Sequence, residues 1–398
     1  MIVGVPKETF QGERRVALIP ALVPALERRG VEVLIEPGAG AGAGFPDEAS
    51  TSKGAKLATS RDDLFSRAEI LFMVRTPGAN PHGGQQDLAQ MRSGQVVIGF
   101  AEPLSELEMT RAVAEKGVTL FGTEMIPRIT RAQSMDTLSS MATVAGYKAV
   151  LLAAEALPRM FPLLMTAAGT VAPAHVLIIG AGVAGLQAIS TARRLGAVVN
   201  AYDVRPAVKE QVESLGAKFV ELDLDTQAAE DAGGYAKALG EEFYRRQREL
   251  MGEVIAHNEV VITTAAVPGK KAPVLVTAQM VRGMSPGSVI VDLAAERGGN
   301  CELTRPNETV VEHGVTIIGP VNLPASVPFH ASQMYAKNLT NLIELFVKDG
   351  KMDLDVDDEI VQGTMVTRGG RVVHPAVCEL LGIPAPASPD AAASGKEG

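Results

Sequence analysis

The residues whose types and spacing could bind a dinucleotide lie between positions 176 and 203. An apolar run, VLII at residues 176–179, leads into the glycine-rich turn GAGVAG at residues 180–185, and a helical pattern follows. A second apolar run at residues 198–202 ends on Asp203. Strand, glycine turn, helix, strand and acid, in this order, make up the βαβ unit that binds dinucleotides. An ordinary turn between strand and helix, without a ligand, is the alternative interpretation.

Each glycine of the turn has its own task in this interpretation. Gly180 permits the tight turn, Gly182 lets the backbone approach a pyrophosphate, and Gly185 lets the helix pack closely on the strand. The N–H groups at the helix start, aided by the helix dipole, then face the phosphates. A carboxylate at Asp203 can accept both hydroxyls of the adenosine ribose and would repel a 2′-phosphate, which favours NAD over NADP. Arg205 could soften that preference.

Composition indicates a globular protein with room for two domains. Of the 398 residues, 46% are hydrophobic and 21% are charged, and the formal net charge is −9. An acidic chain is a poor partner for nucleic acid or for an anionic membrane surface, since both favour basic patches. The two cysteines and six histidines show no metal-ligand spacing, so no metal site is expected. Charged residues and prolines interrupt the most apolar stretch, residues 149–172, so we expect no direct membrane span.

Short apolar runs alternate with helical patterns along the chain. Five runs occur in the first third, at residues 2–5, 31–36, 70–74, 96–100 and 118–121. Three more follow the glycine turn, at residues 260–264, 288–293 and 315–318. Helices are expected between them, among others at residues 21–29, 105–116, 137–157 and 332–347. This alternation is typical of parallel sheets that are covered by helices.

We therefore predict an α/β protein with two Rossmann-like parallel-sheet domains separated by a cleft. The N-terminal domain would be discontinuous, comprising residues 1–136 and 328–380, and the NAD(H)-binding domain would comprise residues 137–327. A cleft between two α/β halves is a usual place for a cofactor. The tail, residues 381–398, has almost nothing to bury and is expected to be disordered.

The glycine turn, the N-terminal GVPKETFQGERRVAL and the layout in two halves together resemble the alanine dehydrogenase and NAD(P) transhydrogenase superfamily, up to about residue 380. Within it, the run RITRAQSMD at residues 128–136 is similar to the nicotinamide-side loop of transhydrogenases. The resemblance implies that Arg128, Gln133 and Asp136 contact the nicotinamide, its ribose and the pyrophosphate, with Ser139 nearby. Without it, the same residues fit a solvated helix N-terminus with polar capping groups.

A second segment, DAGGYAK at residues 231–237 with the helical pattern EEFYRRQ at 241–247, is similar to the mobile loop and following helix of transhydrogenases. The resemblance implies that Gly234, Tyr235 and Gln247 help hold the adenosine side, and that Ala266 supplies a backbone contact. Paired glycines before a tyrosine provide a hinge and a ring that can cover a ligand. Taken alone, the pattern fits an ordinary surface loop.

A third set of positions departs from the alanine dehydrogenase branch, which grips its substrate carboxylate with an arginine and a lysine. Arg15 keeps the arginine, but Arg75 replaces the lysine. The stretch GFAE at residues 99–102 lacks the branch's histidine, and Glu296 replaces its aspartate. Amino-acid oxidation needs a positioned proton acceptor, so the loss of the histidine fits a protein that moves hydride only.

The resemblance thus implies the NAD(H)-binding alpha subunit of a proton-translocating transhydrogenase. It implies NADP(H) on a partner beta subunit, separate membrane-spanning subunits, a homodimer, and a cytoplasmic location at the inner membrane. An alanine dehydrogenase-like enzyme and a non-catalytic NAD-binding module are the alternatives. Arg128, Gln133 and Asp136 are the expected catalytic residues. The residues expected to bind NAD(H) are Arg128, Ile129, Thr130, Gln133, Ser134, Met135, Asp136, Ser139, Gly180, Ala181, Gly182, Val183, Gly185, Asp203, Val204, Arg205, Gly234, Tyr235, Gln247 and Ala266.

Overall fold

The computed structural model describes residues 1–222, 241–266, 269 and 271–386. The strands among them are β1 (Ile2–Val5), β2 (Glu32–Ile35), β3 (Lys56–Leu57), β4 (Ile70–Arg75), β5 (Val96–Phe100), β6 (Thr119–Gly122), β7 (Leu164–Thr166), β8 (Gly169–Val171), β9 (His175–Ile179), β10 (Val198–Tyr202), β11 (Lys218–Phe219), β12 (Val260–Thr263), β13 (Val289–Asp292), β14 (Thr309–Glu312), β15 (Val315–Ile318), β16 (Val347–Lys348), β17 (Lys351–Met352), β18 (Met365–Arg368) and β19 (Arg371–Val372).

The α-helices are α1 (Val23–Glu27), α2 (Asp47–Thr51), α3 (Arg61–Arg67), α4 (Gly84–Gln90), α5 (Leu107–Glu115), α6 (Thr137–Ala156), α7 (Val183–Arg194), α8 (Lys209–Ser214), α9 (Glu241–Ala256), α10 (Ala278–Gly283), α11 (Pro328–Ile343), α12 (Glu359–Thr364) and α13 (Pro375–Leu381). Short 3-10 helices occur between them, including Thr130–Met135. By compactness the described chain divides into unit 1, Met1–Met141 with Ala325–Gly398, and unit 2, Ala142–Pro324.

The sheet of unit 1 has the strand order β19-β18-β6-β5-β4-β1-β2-β3 among the described residues. The strands from β6 to β3 are parallel, whereas β18 and β19 extend the sheet in antiparallel fashion. β4 is buried along its first five residues, as expected for a parallel strand covered on both faces. The six parallel strands follow the Rossmann order 3-2-1-4-5-6, whose direction reverses between β1 and β4.

The sheet of unit 2 has the order β11-β10-β9-β12-β13-β15-β14 in the part of the chain that is described. Only β14 is antiparallel to its neighbour, so the other six strands repeat the Rossmann order, with the reversal between β9 and β12. Alternate residues of β9 enter different cores: Val176 and Ile178 pack with α7, and Leu177 and Ile179 with α9 and α10. The predicted α/β class with Rossmann-like sheets is confirmed.

Helix α6 is long and apolar enough, by length and composition, to cross a membrane, and it is the one such helix among the described residues. A core helix can satisfy the same criterion. Ala149, Val150 and Ala153 are fully buried in the core of unit 2, and the backbone packs closely at Gly146, where a Cβ would lie 2.1 Å from the Ala184 carbonyl oxygen. These contacts describe a helix that packs against protein along part of its surface.

Candidate functional site

The glycine turn joins β9 to α7 with the geometry that its glycines predict. Gly180 has a φ of 99°, in the left-handed region, and a Cβ there would lie 2.5 Å from Thr264 Oγ1. A Cβ at Gly185 would lie 1.8 Å from the Gly180 carbonyl oxygen, so only glycine lets α7 approach the strand this closely. A Cβ at Gly182 would meet no atom within 4 Å. The surface above Gly182 is therefore open to a ligand.

Gly182 is also the N-cap of α7, and its carbonyl oxygen accepts the Leu186 N–H at 2.8 Å. The first N–H groups of a helix have no acceptor within the helix, and the positive end of the helix dipole lies at the same place. An open backbone surface at such a helix start is suited to a phosphate group. The turn therefore fits the pyrophosphate of a dinucleotide.

Asp203 follows β10, and its carboxylate is buried and engaged on both oxygens. Oδ2 accepts the Ala181 N–H at 2.7 Å and Arg205 Nη2 at 2.8 Å. Oδ1 accepts the backbone N–H of Arg205 at 2.8 Å and its Nε at 2.9 Å. A ribose hydroxyl at Asp203 would compete with the Arg205 guanidinium for these oxygens. Arg205, predicted to influence nucleotide preference, thus acts directly on Asp203.

Gln247, on α9, contacts Tyr202 at the end of the same strand, β10. Its side chain is buried, and Nε2 donates to the Tyr202 hydroxyl at 2.9 Å. Burial raises the pKa of the Tyr202 phenol to about 12, with the Asp203 carboxylate adding to the shift, so the ring stays neutral at physiological pH. The contacts of Gln247 support a role in fixing the residue that precedes Asp203.

The loop after β12, which contains the exposed Ala266, is held by one buried amide that no sequence motif marks. Asn300 is fully buried; its Oδ1 accepts the Ala265 N–H at 3.0 Å, and its Nδ2 donates to the carbonyl oxygens of Ala265 and Pro273 at 2.8 and 2.9 Å. Thr264 Oγ1 donates to the Gly180 carbonyl at 3.0 Å. The loop and the glycine turn therefore share one hydrogen-bonded framework at the reversal point of the sheet.

The 128–136 segment of unit 1 is a short 3-10 helix, Thr130–Met135, with its polar side chains outward. Ala132 and Met135 are buried, whereas Arg128, Gln133 and Ser134 are exposed. The Arg131 guanidinium pairs with the Asp358 carboxylate at 2.6 Å. The buried residues and the ion pair anchor the segment, so that it presents its exposed polar groups to solvent.

Asp136 has a structural partner of its own at the start of α6. Its Oδ1 accepts the Ser139 N–H at 2.8 Å, and its Oδ2 accepts the Ser139 hydroxyl at 2.6 Å. The carboxylate thus satisfies a free N–H of the first helical turn, which is the function of an N-cap. The alternative interpretation, a polar helix N-terminus, describes this residue in the free protein.

The two arginines of the alanine dehydrogenase comparison are both engaged by Glu13 in unit 1. Arg15 donates to Glu13 through Nε at 2.7 Å and Nη2 at 2.6 Å, and both side chains are buried. Arg75 Nε lies 3.5 Å from Glu13 Oε2, and its guanidinium stacks on the Phe10 ring at 4.0 Å. A substrate carboxylate at this place would have to compete with the buried Glu13 carboxylate. The arrangement does not favour a substrate grip.

Glu8 lies near this cluster, beyond the end of β1. Its carboxylate accepts the N–H groups of Val74 at 2.6 Å and Arg75 at 3.2 Å. Burial and the neighbouring Glu13 charge raise the pKa of Glu8 to about 8. Burial and Glu102 likewise raise the pKa of Glu124 to about 7. The unfolded chain would release these protons near a pH of about 4.5.

We expect the stability of unit 1 to fall as the pH rises. A carboxyl group whose pKa is raised on folding stabilises the folded state, and this contribution is fully present below the pKa of the unfolded chain. It is lost as the pH rises through the pKa of the folded protein. Between about pH 5 and pH 8 the loss through Glu8 is on the order of 3–4 kcal/mol. Thermal unfolding at several pH values checks this: Glu8→Gln should flatten the dependence, whereas the exposed Glu69→Gln should leave it unchanged. An equally steep slope in Glu8→Gln would contradict the assignment.

The predicted cofactor residues fall into two groups, each within one unit. Unit 1 contains the eight residues Arg128, Ile129, Thr130, Gln133, Ser134, Met135, Asp136 and Ser139. Unit 2 contains Gly180, Ala181, Gly182, Val183, Gly185, Asp203, Val204, Arg205, Gln247 and Ala266. Gly234 and Tyr235 lie outside the described residues, as do positions 387–398 of the predicted tail. Within the described ranges, no group of three His, Cys, Asp or Glu side chains could hold a metal ion.

Comparison with known proteins places this geometry in a family. The description "Alanine dehydrogenase/PNT, N-terminal domain" matches residues 4–145, and "Alanine dehydrogenase/PNT, C-terminal domain" matches residues 149–375. The chain is 48% identical to an NAD(P) transhydrogenase subunit alpha chain of Rhodospirillum rubrum, over 95% of this chain and 99% of that protein. It is 30% identical to alanine dehydrogenase of Bacillus subtilis, over 96% of this chain and 95% of that protein.

A solved structure gives the same picture. The transhydrogenase from Sinorhizobium meliloti superposes with a TM-score of 0.84 at 45% identity, covering 94% of this chain and 100% of that one. Two matched domains, near-complete coverage and the higher identity to transhydrogenase subunits all agree with the positions that depart from alanine dehydrogenase. The chain therefore belongs to the alanine dehydrogenase/PNT family, and within it groups with the NAD(P) transhydrogenase alpha subunits.

Proposed function

We propose that this chain binds NAD(H) and exchanges hydride with NADP(H) held by the beta subunit of a proton-translocating transhydrogenase. Proton movement would belong to separate membrane-spanning subunits, which would also attach this chain to the cytoplasmic face of the inner membrane. Bound NADH would supply the hydride from C4 of its dihydronicotinamide ring. The identity of 48% to a transhydrogenase subunit over 95% of the chain supports this proposal.

The residues of unit 2 would hold the adenosine half. The open surface at Gly182 admits a pyrophosphate, and the N–H groups at the start of α7 would bind its oxygens. Asp203 would accept the ribose hydroxyls, and the Arg205 guanidinium would then move away from the Asp203 carboxylate oxygens. Gln247 would keep the strand end in place through Tyr202. None of these residues has to gain or lose a proton.

The 128–136 segment would position the nicotinamide half. Transfer between two nicotinamides requires no proton at the reacting carbons, so the contribution of the protein is alignment and the exclusion of water. An exposed Gln133 amide can donate to and accept from the carboxamide, and Arg128 can pair with phosphate oxygens. Asp136 would have to serve the ligand with the carboxylate that now caps α6.

The observation that best supports a reaction in which only hydride is transferred is the pairing of Arg15 with Glu13. The two side chains form a buried, bidentate ion pair. Breaking such a pair leaves a buried charge without compensation, which is strongly destabilising. Together with the absence of a histidine in residues 99–102, this pairing favours transhydrogenation over amino-acid oxidation.

The experiment mixes the chain with NADH and a beta-subunit NADP-binding domain, and follows reduction of an NADP⁺ analogue with a distinct absorbance. We expect reduction only when all three are present. Alanine with NAD⁺ should give no turnover; turnover there would select the amino-acid dehydrogenase instead. NADH binding without any reduction of the analogue would select the non-catalytic NAD-binding module.

We also propose that two copies of the chain associate through the hairpin β7–β8. The hairpin forms a two-stranded sheet of its own, and small isolated hairpins are marginally stable. Its flank exposes a group of large apolar side chains: Leu163 is 50%, Met165 81% and Val171 40% exposed. Such a patch is suited to a second protein surface.

Replacing Met165 by aspartate should therefore shift the chain from dimer to monomer. A charge in the centre of an apolar contact is left desolvated, which costs several kcal/mol, on the order of a 100-fold weaker association. Analytical ultracentrifugation at micromolar concentration measures the mass. Val311→Asp, at a site 67% exposed on the edge strand β14, is the matched control and should remain dimeric. A parent chain that sediments as a monomer would exclude this contact.

A further inference from the structure

Two amides of one helix converge on one carbonyl oxygen of the 128–136 segment. Asn338 and Asn341, on α11, each donate through Nδ2 to the Ser134 carbonyl at 2.9 Å. Residues three apart lie on the same face of a helix, so the two donors reach the oxygen from neighbouring turns. A carbonyl oxygen has two lone pairs, and here both accept a side-chain amide.

The segment depends on such contacts because its own backbone holds it weakly. A 3-10 helix has poorer hydrogen-bond geometry than an α-helix, and the bond from the Asp136 N–H to the Gln133 carbonyl is long, at 3.4 Å. Ser134, whose carbonyl the amides hold, is the residue directly after Gln133. Fixing that carbonyl fixes the peptide plane between Ser134 and Met135, and it thereby restrains the backbone one residue beyond Gln133.

The burial of Asn338 supports a specific role for its amide. The residue is 6% exposed, and its Oδ1 has no hydrogen-bond partner among the described residues. A buried acceptor without a donor is costly, and an apolar side chain of similar size would avoid that cost. The donor function of Nδ2 toward Ser134 gives a physical reason for an amide at this place.

We propose that Asn338 and Asn341 are positioning residues for hydride transfer, acting through the Ser134 carbonyl on the orientation of Gln133. This inference rests on the proposed function. Neither asparagine needs to touch the ligand. A displacement of reacting groups by about 1 Å costs about 100-fold in rate, whereas the glycine turn of unit 2 would still anchor the nucleotide. The signature is a loss of transfer rate without a matching loss of NADH affinity.

The test compares Asn338→Ala, Asn341→Ala and the double variant with the parent chain. The hydride-transfer rate to an NADP⁺ analogue, the Kd for NADH and the thermal midpoint are measured for each. We expect about a 10-fold slower transfer in each single variant and about 100-fold in the double variant, with Kd changed by less than about 3-fold. Asn341→Gln keeps the amide donor at a partly exposed position and should recover part of the rate.

Thr340→Val is the matched control for damage to the helix. It removes a buried hydroxyl whose bond, to the Ala336 carbonyl at 2.7 Å, stays within α11. We expect a lower thermal midpoint with transfer within about 2-fold of the parent. Transfer at the parent rate in a folded double variant, a Kd that rises as much as the rate falls, or an equal rate loss in Thr340→Val each overturns the inference. A parent chain that transfers no hydride instead rejects the proposed function, and the inference with it.

Discussion

Replacing Gly185 by alanine should weaken NADH binding strongly and lower the thermal stability of unit 2. The new Cβ would lie 1.8 Å from the Gly180 carbonyl oxygen and 2.9 Å from its carbon, and both atoms belong to the backbone. The turn cannot absorb the clash by rotating a side chain, so either Gly180 or α7 must move. Helix α7 is itself held at Ala184 by the close approach of Gly146. Overpacking of this kind costs about 1–3 kcal/mol or more, and we expect at least about a 100-fold rise in Kd.

Substitutions at two other glycines of unit 2 distinguish a loss of ligand binding from a loss of fold stability. In Gly182→Ala the new Cβ has no atom within 4 Å, so the fold should be unaffected. The same Cβ should keep the pyrophosphate of a ligand from approaching the backbone. Gly283→Ala, at the end of α10, also meets nothing within 4 Å and should change neither property. Fluorescence titration with NADH and a thermal melt measure both quantities. A Gly185→Ala variant that binds NADH as the parent does would reject the turn as the binding site.

The strands of the two sheets could be predicted because their sequences are locally unambiguous. The apolar runs predicted at residues 2–5, 96–100 and 315–318 are strands with those same bounds. A parallel strand buried on both faces needs apolar residues throughout, which leaves a continuous run in the sequence. The alternation of such runs with helices predicts parallel sheets, whereas the strand order is given by the structure.

Elements at the edges could not be predicted in the same way. The sequence predicts a final helix at residues 332–347, but α11 spans Pro328–Ile343, because proline at the first position starts a helix and Val347 belongs to β16. It is not the final helix, since α12 and α13 follow it. Strands β18 and β19 join the first sheet beside β6, and their short runs show no period of their own. Their pairing depends on contacts distant in sequence, which a local pattern does not record.

The residues of the candidate site likewise differ in whether a local sequence pattern predicts them. The glycine turn and Asp203 lie within one βαβ unit, so spacing alone reveals them. Asn338 contacts Ser134 across 204 positions, and Asn300 reaches Ala265 across 35, with no motif around either amide. The grip of Arg205 on Asp203 is only partly evident from the sequence, since proximity along the chain does not state that both carboxylate oxygens are engaged. Single buried amides that fix a loop require the fold to be seen.

Replacing Gln133 by asparagine should slow hydride transfer by about 100-fold and leave NADH affinity nearly unchanged. The side chain is exposed, and the structural role of the residue is through its carbonyl, which accepts the Asp136 N–H. Asparagine keeps the amide and that carbonyl but withdraws the head group by one methylene, about 1.5 Å. The fold therefore remains, while the amide no longer reaches a carboxamide that it would orient.

The comparison variant is Gln86→Asn, the same change at an exposed position of α4 in unit 1. It should leave both the transfer rate and the Kd for NADH at the parent values. Single-turnover transfer to an NADP⁺ analogue at saturating NADH isolates the reacting step from binding. Since an interaction made only in the transition state lowers the rate and not the affinity, equal losses of both in Gln133→Asn would mean that Gln133 binds the nucleotide without aligning it.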